Sequence, residues 1–190
     1  MPAKKPKKTK KKLKTKPKGQ LEGDKVIFWN RIDEVYLPGY YGKEINGRLE
    51  LSLVEAVYLL KKGRIEVYKE KKKISLKRLY EHACSLDKRF PERYRVYEDL
   101  RDRGLLVRTG FKFGCDFRVY ERGVKLKKGP KSQREHTKWI VFAVPEDYTC
   151  SFQELSRAVR LAHNIRARML WAIVDNEGDV TYYQVVRETP

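Results

Sequence analysis

The chain has 190 residues, with 44 Lys and Arg against 25 Asp and Glu, for a net charge of +19. The first eighteen residues hold ten lysines and no acid, so +9 remains on residues 19–190 and the body is basic without its tail. With 41% apolar and 12% aromatic residues a core can form, which excludes wholesale disorder; no apolar run is long enough for a transmembrane helix, and no hydrophobic segment marks a signal peptide.

Residues 1–18 (MPAKKPKKTKKKLKTKPK) bury too little to offset the entropy of ordering and read as a disordered arm. The arm is either a non-specific grip on phosphates or a solubilising tail. Residues 19–90 read as a small α/β domain. Within it, Lys25–Trp29 and Arg31–Tyr36 are expected as strands. Ser52-Leu53-Val54-Glu55 is a capping box opening an apolar helix to Leu60, which Gly63 stops. Arg64–Tyr68 alternates as a strand, and Ser75 opens a helix toward Asp87. A very polar helix over 93–103, closed by Gly104, is expected to bridge two units, with 91–104 as the connecting segment.

Residues 105–190 carry a stronger β signal and read as a second domain. Leu105–Thr109 and Asp116–Glu121 are expected strands around the Gly110–Gly114 turn, and Trp139–Pro145 is a buried apolar strand. Ser151-Phe152-Gln153-Glu154 is a second capping box, with a helix to about Arg168. Met169–Asp175 and Asp179–Val186 form a hairpin across Asn176-Glu177-Gly178. The fold class is α+β, mixed α/β.

Few catalytic signatures are present. There is no glycine-rich phosphate loop, nucleophile elbow or HExxH. The one close acid set, Asp175, Glu177 and Asp179, brackets a tight turn and reads as a turn rather than a metal site. No metal and no cofactor is expected. Three cysteines (Cys84, Cys115, Cys150), odd in number and without C-x-x-C spacing, fit a reducing, cytoplasmic setting. So basic a protein has a polyanionic partner, RNA or DNA, and no membrane.

His82 and His163 lie within helices and read as structural or surface residues. His136 differs: it follows a Lys/Gly/Pro-rich loop and closely precedes the strand at Trp139. An imidazole there, among cations, can donate a proton to a leaving oxygen. Tyr120 ends the preceding strand and reads as a buried strand tyrosine unless something pairs it with His136. On the 151–168 helix, at 100° per residue, Leu155, Ala158, Val159, Ala162, Ile165 and Met169 share one face. Arg157, Arg160, Asn164 and Ala167 share the other. Ala167 is either a plain helix former on the surface or the place of a lost functional side chain.

These stretches resemble the archaeal tRNA-splicing endonucleases (tRNA-intron lyases). The resemblance is densest at LSLVEAVYLL (51–60), VYEDLRDRGLLVRTGFKFGCDFRVYERG (96–123), EHT (135–137) and VRLAHNIRARMLWAIVDNEGDVTYYQV (159–185). It implies a splicing-endonuclease, restriction-endonuclease-like C-terminal domain with a mixed, largely antiparallel sheet. It also implies metal-independent cleavage of precursor tRNA at bulge–helix–bulge motifs. The ribose 2′-OH would attack the adjacent phosphate, leaving a 2′,3′-cyclic phosphate and a 5′-OH. By the resemblance Tyr120 is the general base and His136 the general acid. The family's charge-stabilising lysine falls at position 167, which here is alanine. Three explanations compete: an exchange of lysine for alanine made to trap RNA uncleaved, a natural subunit with weakened chemistry, or supply of the cation by Arg166 or Arg168. The first is favoured, because Tyr120 and His136 are retained and the wheel turns both arginines about 100° away.

The resemblance further implies that Arg160 pinches an extruded bulge base, with Arg187 a candidate partner. The acidic turn Asp175–Glu177–Asp179 would insert between the domains of a neighbouring subunit in a homo- or heterotetramer. The Tyr120–His136 interval is longer than in compact members, and its surplus cations Lys127, Lys128 and Lys131 are an expected extra RNA contact. The rival readings are a non-catalytic RNA-binding or structural subunit of the same assembly, and a basic ribosome-associated protein supported by the tail alone.

Overall fold

A computed structural model describes residues 15–126 and 136–188. Two sheets are joined through helices packed between them. The first contains β1 (Lys18–Glu22), β2 (Lys25–Phe28), β3 (Lys43–Ile45), β4 (Arg48–Ser52), β5 (Glu66–Lys69) and β6 (Lys72–Lys73), in the order β3-β4-β2-β1-β5-β6. The second contains β7 (Leu106–Thr109), β8 (Phe117–Tyr120), β9 (Trp139–Pro145), β10 (Arg168–Val174) and β11 (Val180–Val185), in the order β11-β10-β9-β8-β7. Each sheet is antiparallel except for one parallel pair, β1 with β5 and β9 with β10. The expected mixed α/β class is therefore observed. Among the described residues no helix is long and apolar enough to cross a membrane.

The helices α2 (Leu53–Lys61), α3 (Leu76–Leu86), α4 (Phe90–Asp102) and α5 (Phe152–Asn164) follow their sequence signals. Ser52 and Glu55 close the capping box of α2, and Ser75 and Ser151 accept from Arg78 N and Glu154 N. The Glu55 carboxylate also accepts from Gly42 N at 2.8 Å. Gly42 has φ +73, and a Cβ there would fall 2.6 Å from Glu50 O, so no other residue fits.

α4 starts at Phe90, three residues earlier than expected, with Pro91 in its first turn. Despite its polar composition it buries Phe90, Tyr94, Val96, Tyr97 and Leu100 in the main core, which α2, α3 and both sheets share. Tyr97 and Phe117 are fully buried, with ring centroids 5.6 Å apart. Phe117→Ala should lower unfolding free energy by roughly 3–5 kcal/mol, read as a shifted urea midpoint at unchanged slope.

Four expectations need correction. Residues 32–36 are not a strand but a short helix, α1 (Ile32–Tyr36). Its apolar positions recur at i, i+3 and i+4, acids occupy its first turn, and Arg31 forms a two-pronged ion pair with Glu34. The tail boundary moves: Lys18 already belongs to β1, which pairs with β2 and β5. The β3–β4 hairpin has no counterpart in the sequence expectation, although Asn46-Gly47, both at positive φ, is a strong two-residue turn signal. Finally, α5 ends at Asn164 rather than near Arg168. Arg166 takes a left-handed φ of +55, its N–H bonds to His163 O, and Ala167 N–H bonds to Ala162 O. This is a Schellman closure, and it removes Ala167 from the polar face of the helix.

Candidate active site

Sheet register gathers most of the expected site. Val119 pairs with Trp139, and Lys138 N donates to Val119 O, so Tyr120 lies opposite Lys138. Arg168 pairs with Trp139 and its N–H donates to Lys138 O, so Ala167 flanks Lys138 on the other side. Met169 pairs with Val185, and one further step of alternation, at two residues each way, sets Ala167 against Arg187. The result is a row, Tyr120–Lys138–Ala167–Arg187, across one end of four neighbouring strands. At a strand spacing of about 4.8 Å, Tyr120 and Ala167 are about 10 Å apart at the backbone.

The face can be read as well. Val119 and Val141 belong to the main core, whereas Ile140 and Met169 pack with Ala158 and Ala162 of α5. Arg118 pairs with Ile140, so by the two-residue period Tyr120 lies on the face toward α5, as does Ala167. His136 is exposed and lies two residues before the row. Tyr120 is only 2% exposed. Lys138 Nζ is ion-paired with Glu121 and lies 5.5 Å from the centre of the Trp139 ring.

A cavity of about 540 Å³ opens beside this row, between the end of α5 and β11. Arg160, His163, Ala167, Arg168 and Arg187 line it. The Schellman closure delivers Ala167 there: it ends the helix, keeps Ala167 against Ala162, and starts β10 one residue later. The structure thus brings Arg160, Ala167 and Arg187 into one cavity, with no carboxylate in its lining. Tyr120 and His136 share the end of the sheet but do not line the cavity. His163 does, exposed, beside Ala167; sequence reading passed over it as structural, and its adjacency to the cation-rich helix end was the available signal. His82 is a surface residue, its Nε2 2.8 Å from Gly23 O.

The acidic turn is built locally. Asp175 Oδ1 accepts from Glu177 N at 3.0 Å and Asp179 N at 2.8 Å. Arg95 of α4 donates to Gly178 O and lies 3.9 Å from Asp179. Glu177 and Asp179 remain exposed, at the end of β11, the outer strand of its sheet. Among the described residues no three His, Cys, Asp or Glu side chains converge as metal donors. All three cysteines are free. Burial pushes the Cys115 thiol up to about 12, which leaves it protonated and unreactive at neutral pH. Lys127, Lys128 and Lys131 lie outside the described residues.

A basic two-sheet α/β chain with a tyrosine, a histidine and clustered arginines at one sheet end is built for a polyanion rather than for a small apolar ligand. Residues 17–80 match the family model "tRNA intron endonuclease, N-terminal domain", and residues 90–182 match "tRNA intron endonuclease, catalytic C-terminal domain". The chain is 44% identical over 167 residues to a tRNA-splicing endonuclease of Thermococcus kodakarensis, covering 87% of this chain and 94% of that protein. It is 45% identical over 128 residues to one of Nanoarchaeum equitans, covering 67% and 83%. A third, from Methanosarcina barkeri, is 38% identical over 168 residues, which is 86% of this chain but 46% of that protein. The chain belongs to the tRNA-splicing endonuclease family.

Proposed function

We propose that this chain is a catalytic-type subunit that cleaves precursor tRNA at bulge–helix–bulge junctions without a metal, impaired as it stands by Ala167. The observation that carries the reading is the row Tyr120–Lys138–Ala167–Arg187, with His136 two residues away. In this reading Tyr120 takes the proton from the ribose 2′-OH, and the alkoxide attacks the adjacent phosphorus in line. His136 protonates the departing 5′-oxygen, leaving a 2′,3′-cyclic phosphate and a 5′-OH. Position 167 is where a cation would face the charge that builds on the phosphoryl oxygens. Arg160 and Arg187 hold an unpaired base between guanidinium planes. The deciding experiment is cleavage of such an RNA in EDTA by the Ala167→Lys chain, with end-group analysis of the products. Hydrolysis that leaves a 3′-OH and a 5′-phosphate would overturn the chemistry.

Assembly as a tetramer, with itself or a structural subunit, would use the open edge of β11 and the acidic turn at Asp175, Glu177 and Asp179. The second reading, a non-catalytic RNA-binding subunit of that assembly, is favoured by Ala167 alone.

The two basic elements should separate experimentally. The arm has no aromatic residue and can add only sequence-blind attraction, so deleting residues 1–14 should weaken RNA binding at low salt and leave site choice unchanged. Replacing Lys127, Lys128 and Lys131 by Ala in the Ala167→Lys background should instead lower cleavage. The loss should be largest on relaxed bulges that present the phosphate poorly. Equal loss on all substrates, erased by salt, would make this loop plain basic surface.

A further inference from the structure

Resting on the reading of RNA as substrate, we propose that the outer face of the first sheet carries a second RNA contact, in which Trp29 and Tyr68 stack an unpaired base and Lys18 and Lys71 grip the phosphates beside it. The face follows from the register. Val26, Phe28 and Val67 belong to the main core, so by alternation Trp29 and Tyr68 lie on the other side of the sheet. Gln20 pairs with Ile27 of β2 and with Tyr68 of β5. Two further steps along β1 and β2 set Lys18 beside Trp29. Lys18, Gln20, Trp29, Tyr68 and Lys71 line one cleft of about 210 Å³. It shares no residue with the α5 cavity or with the row at the end of the second sheet.

The two rings are presented rather than packed away. Trp29 is 53% exposed, whereas Trp171 is buried and Trp139 packs against the main core. Tyr68 is half-buried, and its hydroxyl donates to Glu66 at 2.9 Å, which fixes the ring at the cleft. A fixed phenol and an exposed indole in one cleft form a surface on which an unpaired base of any identity can stack.

The charge of the cleft suits a polyanion. No carboxylate lines it. Glu66, which pairs with Lys18 in the register, is already held by Lys73 at 2.5 Å and by the Tyr68 hydroxyl. Lys18 Nζ instead lies 5.6 Å from the centre of the Tyr68 ring, and neither Lys18 nor Lys71 forms an ion pair among the described residues. Lys71 occupies the two-residue turn Glu70-Lys71 between β5 and β6, with φ of +48 and +68. Asn-Gly is the pair such a turn prefers, so a lysine stands at the cleft against the preference of its backbone. The lysine-rich arm joins the body here: Thr15 Oγ1 accepts from Arg31, two residues after Trp29, and Lys18 is part of the lining. Residues 1–14 hold eight lysines and no acid. Like charge makes them the wrong occupant, and they add to the attraction for RNA at this face.

The test uses the full chain and an intron-containing precursor tRNA, with binding followed by fluorescence anisotropy across a salt series. Trp29→Leu should weaken binding about tenfold at every salt, as expected for loss of one stacked base, and Trp29→Phe should restore most of it. Lys71→Asn should flatten the log–log salt slope by about one. Asparagine suits the positive φ at this position, so the turn is kept. In the Ala167→Lys background, Trp29→Leu should raise KM about tenfold and leave the saturated rate unchanged, because the contact is the same in the ground state and the transition state. A benzophenone side chain at position 29 should crosslink to RNA. Arg160→Ala serves as the control for the α5 cavity. Unchanged affinity and slope in Trp29→Leu and Lys71→Asn, while Arg160→Ala binds more weakly, would overturn this contact and leave the reading of RNA as substrate intact. So would a crosslink from position 29 to residues 1–14 or to another protein chain. Failure of the unsubstituted chain to bind the RNA would overturn both.

Discussion

Ala167→Lys should raise the cleavage rate on intron-containing RNA by roughly 10²–10³-fold, the effect of one well-placed cation on a developing oxyanion. The expectation rests on where position 167 sits. The Schellman closure fixes its backbone at the mouth of the arginine-lined cavity, one strand from Lys138 and two from Tyr120. A lysine there can extend along the cavity mouth without a neighbouring carboxylate to capture it. The gain should fall on the single-turnover rate, with RNA affinity changed far less, because the charge it answers exists only in the transition state. An unsubstituted chain that already cleaves at the rate of Ala167→Lys would mean that another cation does this work. Arg168 in the cavity lining and Lys138 in the row are then the residues to replace next.

In the same Ala167→Lys background, His136→Ala should cost about 10²–10⁴ in rate, the range for removing a general acid. His136 is exposed at a loop–strand junction, so the substitution leaves the core untouched and the thermal midpoint unchanged. Loss of the acid should matter less for a substrate whose leaving group needs no proton. A 5′-thio-substituted scissile linkage should recover most of the lost rate. A variant equally slow on both linkages would place His136 outside proton transfer, as a binding residue.

How much of this was legible in the sequence depends on how local the signal was. Three helix starts came from capping residues a few positions apart, and β7 to β11 from alternation and turn residues within single segments. The charge balance pointed to a polyanion. The motif around residues 101–123 supplied the family and, through it, the choice of Tyr120 and His136 from among twelve tyrosines and three histidines. The misses were also local in origin. At α1 the apolar positions 32, 35 and 36 carry the helical spacing, but over only five residues, and an i,i+3 ion pair of Arg31 with Glu34 accompanies the helix. At residue 166 a non-glycine residue took the left-handed conformation that ends α5, against its own preference, so the wheel placed Ala167 on the wrong surface.

Composition and short-range pattern by themselves determined that the chain folds, that it is mixed α/β, that it is basic, and where α2, α3 and α5 begin and the strands of the second sheet lie. They could not determine that Tyr120, Lys138, Ala167 and Arg187 form one row. That follows from hydrogen bonds between strands up to 30 residues apart along the chain, and such pairings leave no periodic trace in any one segment. Nor could they show that Arg101 of a very polar helix is buried at the base of a groove. Its guanidinium is solvated there by a tyrosine and by two carbonyls, one of them 62 residues away, and only the packed tertiary structure brings those acceptors within reach.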